Sequence, residues 1–440
     1  MTTIIKNGRI IDPSKHLDFI GDILIEKNII AALASHIDGP LDARVINASG
    51  MVVSPGFIDL HCHLREPGYE HKETILTGTR AAVKGGFTTI CAMPNTNPDM
   101  DNIHTIETVK KIAESYNLAR VLPIACVTLG RRGEVLVDMD KLATTGIIGF
   151  SDDGNPVSSD KVMNKALLRT IDLGLPIINH CENLAISNGG VVNEGRISDL
   201  FELKGWPSIA EDVMVERDIS LAERTHGKLH IAHVSTKESA NLIRLAKDRG
   251  VDITAEVTPH HLTLTEDWVE TRQNGITAYN TNAKVNPPLR TLEDVDALIA
   301  AVSEGVIDCI ATDHAPHSLE DKSTTFDEAA FGITGLETAL ASLLPLVSKK
   351  RISMNTLIDK LTNGPRKLLR QNSSGSGTLN PGALADITIF DTSKEWTVDA
   401  DYLESMGKNT PLYGLKLRGQ VIFTILNGNL VYDQKGVANA

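Results

Sequence analysis

The sequence lacks the features that would tie it to a membrane or to nucleic acid. Its 440 residues contain no apolar run near the ~18 residues of a membrane span, so we expect no transmembrane helix. The first residues have no basic segment followed by a long apolar stretch, so we expect no signal peptide. Acidic residues outnumber basic ones, and the formal net charge is −13. This charge disfavours nucleic acid and anionic membranes as partners.

Paired cysteines are also absent. The five cysteines show no CxxC spacing, and a chain of this length buries a core large enough to need no disulfide. We therefore expect reduced, structural cysteines in a cytoplasmic protein. They are Cys62, Cys91, Cys126, Cys181 and Cys309.

Both ends of the chain read as short strands separated by turn signals such as Asn7-Gly8 and Asn427-Gly428. Because a different pattern lies between them, we predict that the two ends meet and form one composite β-sandwich domain from residues 1–53 and 375–440. The polar stretch NSSGSG at 372–377 is predicted to be the linker that leads into its second part.

Residues 54–374 alternate between strand-like and helical patterns. Eight such units predict an α/β fold, a (β/α)8 TIM-type barrel. The strand segments are Val52–His63, Phe87–Asn95, Val121–Thr128, Gly146–Asp153, Leu175–Glu182, Lys228–Ser235, Asp252–His261 and Val306–His317. Among the helical segments are Glu73–Lys84, Ile106–Ser115, Asp160–Leu173, Ile209–Thr225, Thr236–Arg249 and Leu292–Ser303.

The predicted strands end in polar residues, and in a barrel of this kind the active site lies at the carboxyl ends of the strands. Those ends read DLHCHLREPG, MPNTNP, FSDDGN, INHCEN, AHVS, TPHHL and ATDHAPH. His61 and His63 are two residues apart on one strand, so their side chains point to the same face. Arg65, two residues further on, is predicted to point to that face as well. An H-x-H pair alone is a weak signal. Four histidines and two aspartates at matching strand ends predict a binuclear metal site, because zinc accepts imidazole and carboxylate ligands.

These motifs resemble those of the dihydroorotase family in the amidohydrolase superfamily. The resemblance rests on VSPGFIDLHCHLREPG and TDHAPH and extends over nearly the whole chain, through MPNT, FSDDG, NHCE, AHVS, TPHHL, KVNPPLR, FGITGLET and LNPGALADITIFD. HLREPG is its most specific part, since hydantoinases and dihydropyrimidinases are expected to lack the arginine at position 65.

The resemblance implies a pair of zinc ions and a set of ligands. It assigns His61, His63 and Asp313 to the first metal, and His180 and His233 to the second. An aspartate of FSDDG would bridge them, and the family's spacing favours Asp153 over Asp152. His260 and His261 are expected to support or pack around the site rather than bind metal.

The resemblance also implies roles toward substrate. Arg65, Asn95 and His317 would contact a substrate carboxylate, with Arg65 as a bidentate cation that offsets the net negative charge. Asn286 and the backbone around Phe331 and Gly332 would contact the ring. Asp313 would serve as general base and then as general acid.

Strand 4 departs from much of the superfamily, in which a carbamylated lysine bridges the metals. No lysine lies between Lys141 and Lys161. The segment ends in two aspartates instead, which resembles the branch that uses a carboxylate bridge.

The implied activity is reversible hydrolysis of dihydroorotate to N-carbamoyl-aspartate, run toward ring closure in pyrimidine biosynthesis. One alternative is another cyclic amidohydrolase, acting on hydantoin, dihydropyrimidine or allantoin. A second is a non-catalytic subunit that scaffolds aspartate transcarbamoylase, although such a protein would be expected to have lost metal ligands. The sequence leaves open a homodimer, an association with aspartate transcarbamoylase, and whether residues 318–328 form a mobile lid or a plain surface loop.

Overall fold

A computed structural model describes residues 2–273, 276–369, 376–434 and 436–437 of the chain. Most of the linker predicted at 372–377 lies outside these ranges. The strands are β1 Thr2–Asp12, β2 Leu17–Glu26, β3 Ile29–Ala34, β4 Arg44–Asn47, β5 Val52–Pro55, β6 Phe57–Cys62, β7 Phe87–Ala92, β8 Arg120–Pro123, β9 Ile177–Asn179, β10 Val192–Asn193, β11 Gly205–Trp206, β12 Leu229–Ile231, β13 Ile253–Val257, β14 Glu270–Gln273, β15 Ile276–Tyr279, β16 Cys309–Ile310, β17 Ile387–Thr397, β18 Lys416–Leu426, β19 Asn429–Asp433 and β20 Gly436–Val437.

The six predicted helical segments are present, and their ends differ from the predicted residues by at most three positions. The described ranges contain fourteen α-helices. They are α1 Ile75–Lys84, α2 Ile103–Tyr116, α3 Met139–Ala143, α4 Asp160–Leu173, α5 Leu184–Ser187, α6 Arg196–Phe201, α7 Ile209–Thr225, α8 Lys237–Asp248, α9 Pro259–Thr263, α10 Leu292–Glu304, α11 Leu319–Lys322, α12 Ala339–Ser348, α13 Met354–Leu361 and α14 Asn363–Leu369. For α4, Ser159 caps the first turn through its side chain and Gly174 ends the helix at φ +70°. None of the helices in the described ranges is long and apolar enough to span a bilayer.

Parallel strands form the barrel around the middle of the chain. β6, β7 and β8 make one parallel ladder, and β9, β12, β13 and β16 make another. Phe150 joins the two ladders through bridges to Ala125 and Ile177, and a bridge between Cys62 and His314 closes the ring. The predicted α/β barrel class is therefore confirmed.

Several of the predicted strands differ in detail, and the strand predicted over 252–261 ends at Val257, before α9. The segment predicted over 52–63 is divided at Gly56, where a Cβ atom would lie 2.2 Å from the Thr88 Oγ1 atom. β5 before the break pairs with β17, whereas β6 after it pairs with β7. The segment predicted over 146–153 is not a continuous strand, although Phe150 bridges to Ala125 and Ile177 and the backbone of residues 148, 149 and 151 forms hydrogen bonds to Pro123 and Ala125.

The two ends of the chain share one nine-stranded sheet. Its order is β20-β19-β18-β17-β5-β1-β2-β3, with β4 paired to β1. β5 is the junction, because it pairs in parallel with β1 and antiparallel with β17. One face of the sheet covers a buried apolar cluster that includes Ile5, Ile23 and Ile387. This β-rich part rests against the barrel, where β18 contacts α1, α12 and β7.

Candidate active site

The side chains predicted to bind the first metal converge at the carboxyl ends of the barrel strands. His61 lies in β6, His63 directly follows it, and Asp313 follows β16. The Asp313 Oδ1 atom is 3.4 Å from His61 Nε2 and 3.1 Å from His63 Nε2. These three residues are buried and could together hold one metal ion.

The second predicted group lies beside the first. The Asp153 Oδ1 atom is 3.5 Å from His180 Nδ1, 3.4 Å from His233 Nε2 and 3.5 Å from His61 Nε2. The other carboxylate oxygen of Asp153 is 3.5 Å from His63 Nε2. One carboxylate therefore faces four imidazoles from both groups, which is the position of a bridging ligand.

The neighbouring carboxylate points elsewhere. Asp152 Oδ1 accepts the backbone N–H groups of Val127 and Thr128 at 2.9 and 3.0 Å, and Asp152 Oδ2 accepts the Thr128 hydroxyl at 2.5 Å. Asp152 thus ties this turn to the preceding barrel segment. The geometry favours Asp153 over Asp152 as the bridge.

Three residues of the site have left-handed backbone conformations. They are Arg65 at φ +63°, His233 at φ +34° and Asp313 at φ +45°. Residues with a Cβ atom rarely adopt this region, and such strain is concentrated at functional sites. The strand ends turn sharply here and direct these side chains toward one another.

Glu256 orients His61 and was missed in the sequence analysis. Its two carboxylate oxygens lie 2.6 Å from His61 Nδ1 and 3.1 Å from His230 Nε2. A carboxylate on the far nitrogen of a metal-binding histidine fixes the tautomer and the ring orientation. The only sequence signal was an acidic residue inside the apolar strand ITAEV.

Two further side chains orient the other histidines. His63 Nδ1 donates to the Asn95 side-chain oxygen at 2.8 Å, so Asn95 both lines the cavity and directs His63 Nε2 toward Asp313. His180 Nε2 donates to Glu182 at 3.2 Å, which leaves His180 Nδ1 facing Asp153. Glu182 also accepts the side-chain amide of Asn286 at 3.4 Å.

The charges and the unpartnered atoms of the site fit a bound cation. Burial lowers the pKa of His61, but Asp153, Asp313 and Glu256 outweigh it and raise that pKa above the usual range. Within the described ranges, His61 Nε2 and Asp153 Oδ1 are buried atoms without a hydrogen-bond partner. Buried polar atoms without a partner are costly, and a divalent ion accepts these two atom types. The residues present therefore fit a metal centre.

A cavity of about 210 Å³ opens above this centre. All six residues predicted to contact substrate lie in its wall with the metal-site side chains. The wall consists of His63, Arg65, Asn95, Asp153, Gly154, His180, His233, Val285, Asn286, Asp313, Ala315, His317, Phe331 and Gly332. His61 lies outside this wall, buried against Glu256.

One side of the cavity is positively charged. His317 is buried next to Arg65, Lys72 and Lys322, and burial together with these cations lowers the pKa of His317 to about 3. The neutral ring donates from Nε2 to the Phe331 carbonyl at 2.8 Å and accepts at Nδ1 from the Lys72 ammonium at 3.4 Å. Burial lowers the pKa of Arg65 to about 10, so its guanidinium stays charged at neutral pH. This wall suits a substrate carboxylate.

Two of the remaining histidines of the motifs, His261 and His314, have structural partners, whereas the His260 Nε2 atom is buried without a hydrogen-bond partner among the described residues. His261 contacts the Thr258 hydroxyl and the Pro287 carbonyl, and lies with His260 in α9 rather than at the end of a strand. The His314 Nδ1 atom accepts the Gly335 backbone N–H and shapes the turn after β16. All five cysteines are buried and none forms a disulfide.

Comparisons with known proteins agree over the length of the chain. Residues 50–239 match the family model described as dihydro-orotase-like. A dihydroorotase of Syntrophus aciditrophicus (strain SB) is 46% identical over 435 residues, which is 99% of this chain and 100% of that protein. A dihydroorotase of Thermoanaerobacter sp. (strain X514) is 47% identical over 435 residues, covering 99% of this chain and 98% of that protein.

Solved structures share the fold. L-hydantoinase (dihydropyrimidinase) from Arthrobacter aurescens superimposes with a TM-score of 0.88 at 25% identity, covering 100% of this chain and 98% of that one. D-hydantoinase (dihydropyrimidinase) from Thermus sp. gives a TM-score of 0.83 at 23% identity over 100% and 97% of the two chains.

Proposed function

Because this chain belongs to the dihydroorotase family, whose members are hydrolases that act on a cyclic amide, we propose that it opens and closes the ring of dihydroorotate in the cavity described above. The observation that carries the proposal is the juxtaposition of Arg65 and His317 with the His–Asp cluster around one cavity. That arrangement offers an anion contact on one side and a metal centre on the other.

The proposed cofactor is a pair of zinc ions. His61, His63 and Asp313 would hold one, His180 and His233 the other, and Asp153 would lie between them. When bound, the ions would lower the pKa of a water molecule toward neutrality and polarise the carbonyl under attack. Support comes from the buried cluster and from its atoms without partners.

Asp313 is the proposed proton carrier. Burial would raise its pKa, but His61 and His63 outweigh burial and keep the carboxylate ionised at neutral pH. An ionised carboxylate at the cavity wall can accept the proton of the attacking water and deliver it to the departing ring nitrogen. In ring closure the same group would act in the opposite order.

The substrate contacts define the proposed orientation. Arg65 would bind the carboxylate of dihydroorotate, with neutral His317 and Asn95 beside it. Asn286 and the backbone of Phe331 and Gly332 would contact the ring from the facing wall. A neutral ring of hydantoin type would leave the Arg65 charge without a partner, which disfavours the alternative amidohydrolase activities.

The wider context belongs to the same proposal. The reaction would run toward ring closure in de novo pyrimidine biosynthesis, in the cytoplasm, where the five buried thiols stay reduced. The division into residues 1–53 with 375–440 and residues 54–374 also stays a proposal, as do a homodimer and an association with aspartate transcarbamoylase.

The test combines turnover and metal analysis on one preparation. We expect dihydroorotate hydrolysis, two zinc ions per chain, and full recovery of apo-enzyme with zinc in bicarbonate-free buffer. Asp153→Asn should lose metal and activity, whereas the matched Asp152→Asn should keep both, because an amide oxygen can still accept Val127 and Thr128 N–H. A requirement for bicarbonate would contradict the carboxylate bridge, and a metal-free active protein would contradict the mechanism.

A further inference from the structure

We propose that Asn409, in the segment between β17 and β18, is a positioning residue for substrate binding. Its carboxamide joins the loop after β16, which contains His317, to the loop that contains Phe331 and Gly332. The inference rests on the proposed function, because these two loops form the wall assigned to the substrate. Asn409 itself is outside the cavity wall and 3% exposed.

The Asn409 carboxamide uses both ends of its side chain. Its Nδ2 atom donates to the Ala315 carbonyl at 3.0 Å and to the Gly332 carbonyl at 2.9 Å. Its Oδ1 atom accepts the His317 backbone N–H at 2.8 Å. Two carbonyls require donors and one N–H requires an acceptor, so the partners define the orientation of the amide. One side chain thereby ties both loops together.

The loop with His317 and the loop with Gly332 pack so closely that neither can shift toward the other. A Cβ atom on Gly332, which has φ +149°, would lie 2.6 Å from the Ala315 carbonyl oxygen and 3.0 Å from His317 Cδ2. Gly407 approaches from the other side, since a Cβ atom there would lie 2.8 Å from the His317 backbone nitrogen. The segment with Asn409 therefore packs directly on the backbone of the carboxylate-binding wall.

The segment that carries Asn409 is itself anchored to the barrel. The buried carboxylate of Glu337 accepts the backbone N–H groups of Glu404 at 2.9 Å and Ser405 at 3.2 Å. Glu73 accepts the Met406 backbone N–H at 3.0 Å and the Ser405 hydroxyl. Such an anchored strap can fix the distance between the loops.

The decisive variant is Asn409→Asp, which preserves the shape and the acceptor for His317 but removes the donor. A carboxylate oxygen would then face the carbonyls of Ala315 and Gly332 and repel both. We expect KM for dihydroorotate to rise about tenfold or more, while kcat stays within about threefold of wild type. Zinc content should stay at the wild-type value, because the metal cluster is not displaced.

The matched control is Asn429→Asp, the same change at an exposed position of β19, and its KM should equal that of wild type. If Asn409→Asp does not fold, Asn409→Ala removes the whole carboxamide without adding charge, and the same rise in KM is expected. A folded variant with KM within about twofold of wild type, or one that loses kcat and zinc together, would overturn the inference. Wild-type protein inert toward dihydroorotate would overturn the proposed function, and this inference with it.

Discussion

At the scale of single residues, Asp313 has two proposed roles at one carboxylate, as a metal ligand and as the general base. It lies within 3.4 Å of both His61 Nε2 and His63 Nε2, and it lines the cavity. Asp313→Asn removes the proton acceptor and replaces an anionic ligand with a neutral one, while the volume stays the same. We expect turnover to fall by at least about 10³-fold, with an unchanged circular dichroism spectrum. Retention of a tenth of the wild-type rate would exclude Asp313 as the general base.

Arg65 is the side chain that we propose to select a charged substrate over a neutral one. Its half-buried side chain lies beside His317 and donates to the Pro316 carbonyl at 3.2 Å. Arg65→Met removes the charge and preserves much of the side-chain length. The loss of a charge-assisted contact to a buried carboxylate should cost about 2–5 kcal/mol, seen as a steep rise in KM for dihydroorotate. An unchanged KM, measured beside wild type, would remove Arg65 from the substrate site.

The sequence predicted those side chains whose direction follows from strand periodicity. His61, His63 and Arg65 share one parity, and the structure places all three at the same edge of the barrel. Glu256 could not be found in this way, because its partner His61 is 195 residues away in the chain. Asn409 was missed for the same reason, since its contacts lie 77 to 94 residues away and depend on how the strap crosses the barrel mouth.

At the scale of elements, local patterns predicted helices better than barrel strands. α4 and α7 begin and end at the predicted residues, because side-chain caps and a glycine mark the ends of α4 and the apolar face continues through each helix. The segment over 146–153 is apolar like a strand, yet only Phe150 forms bridges there. Strand pairing in a barrel depends on segments that are far apart in the sequence. A local pattern of apolar residues therefore does not predict it.

Residues 318–328, which the sequence predicts to be either a mobile lid or a surface loop, contain the buried Lys322. Hydrogen bonds of this lysine hold the segment against its neighbours. The Lys322 ammonium donates to the carbonyls of Thr281 at 3.1 Å, Lys284 at 3.1 Å and Ala330 at 2.6 Å. Lys322→Met removes these three contacts and keeps the apolar stem. We expect a loss of about 1–3 kcal/mol in the free energy of unfolding, with a raised KM because Ala330 precedes the substrate loop.

Lys349→Met is the matched control, since Lys349 is exposed, and its stability should equal that of wild type.

The pH dependence of stability gives a second check on the environment of Lys322. Burial and then Lys284 lower the pKa of Lys322 to about 7 from 10.5. Between these values the unfolded chain binds more protons than the folded protein at this site, so the contribution of Lys322 to stability increases with pH. The stability difference between wild type and Lys322→Met should therefore grow from pH 7 to 10, and a constant difference would contradict this environment.

At the scale of the whole molecule, the net charge of −13 and the cationic wall of the cavity oppose each other. Arg65, Lys72 and Lys322, which is partly protonated at neutral pH, surround His317 on one side of the cavity. This local concentration of positive charge lets an acidic protein attract an anionic substrate to one place.

The barrel and the β-rich part also meet through a polar contact, at Arg120 of β8. Its Nη1 atom lies 2.9 Å from Asp386 Oδ2 and 2.9 Å from Thr89 Oγ1, and its Nη2 atom lies 3.1 Å from Asn427 Oδ1. Asp386 is buried, with 1% of its side chain exposed. Its charge therefore depends on this arginine for compensation.

Arg120→Met should weaken the junction without reaching the site. Removal of the arginine leaves the buried Asp386 carboxylate with hydrogen bonds from the Asn427 N–H and the Ser376 hydroxyl but without a cation, and the loss of one member of a buried ion pair costs about 3 kcal/mol. We expect a lower midpoint of thermal unfolding, measured by calorimetry, with dihydroorotate turnover at 25 °C close to that of wild type. Arg169→Met is the control, because Arg169 pairs with Asp140 and Asp172 at the surface and its loss should leave the midpoint unchanged. Equal midpoints for Arg120→Met and wild type would mean that this ion pair does not stabilise the junction.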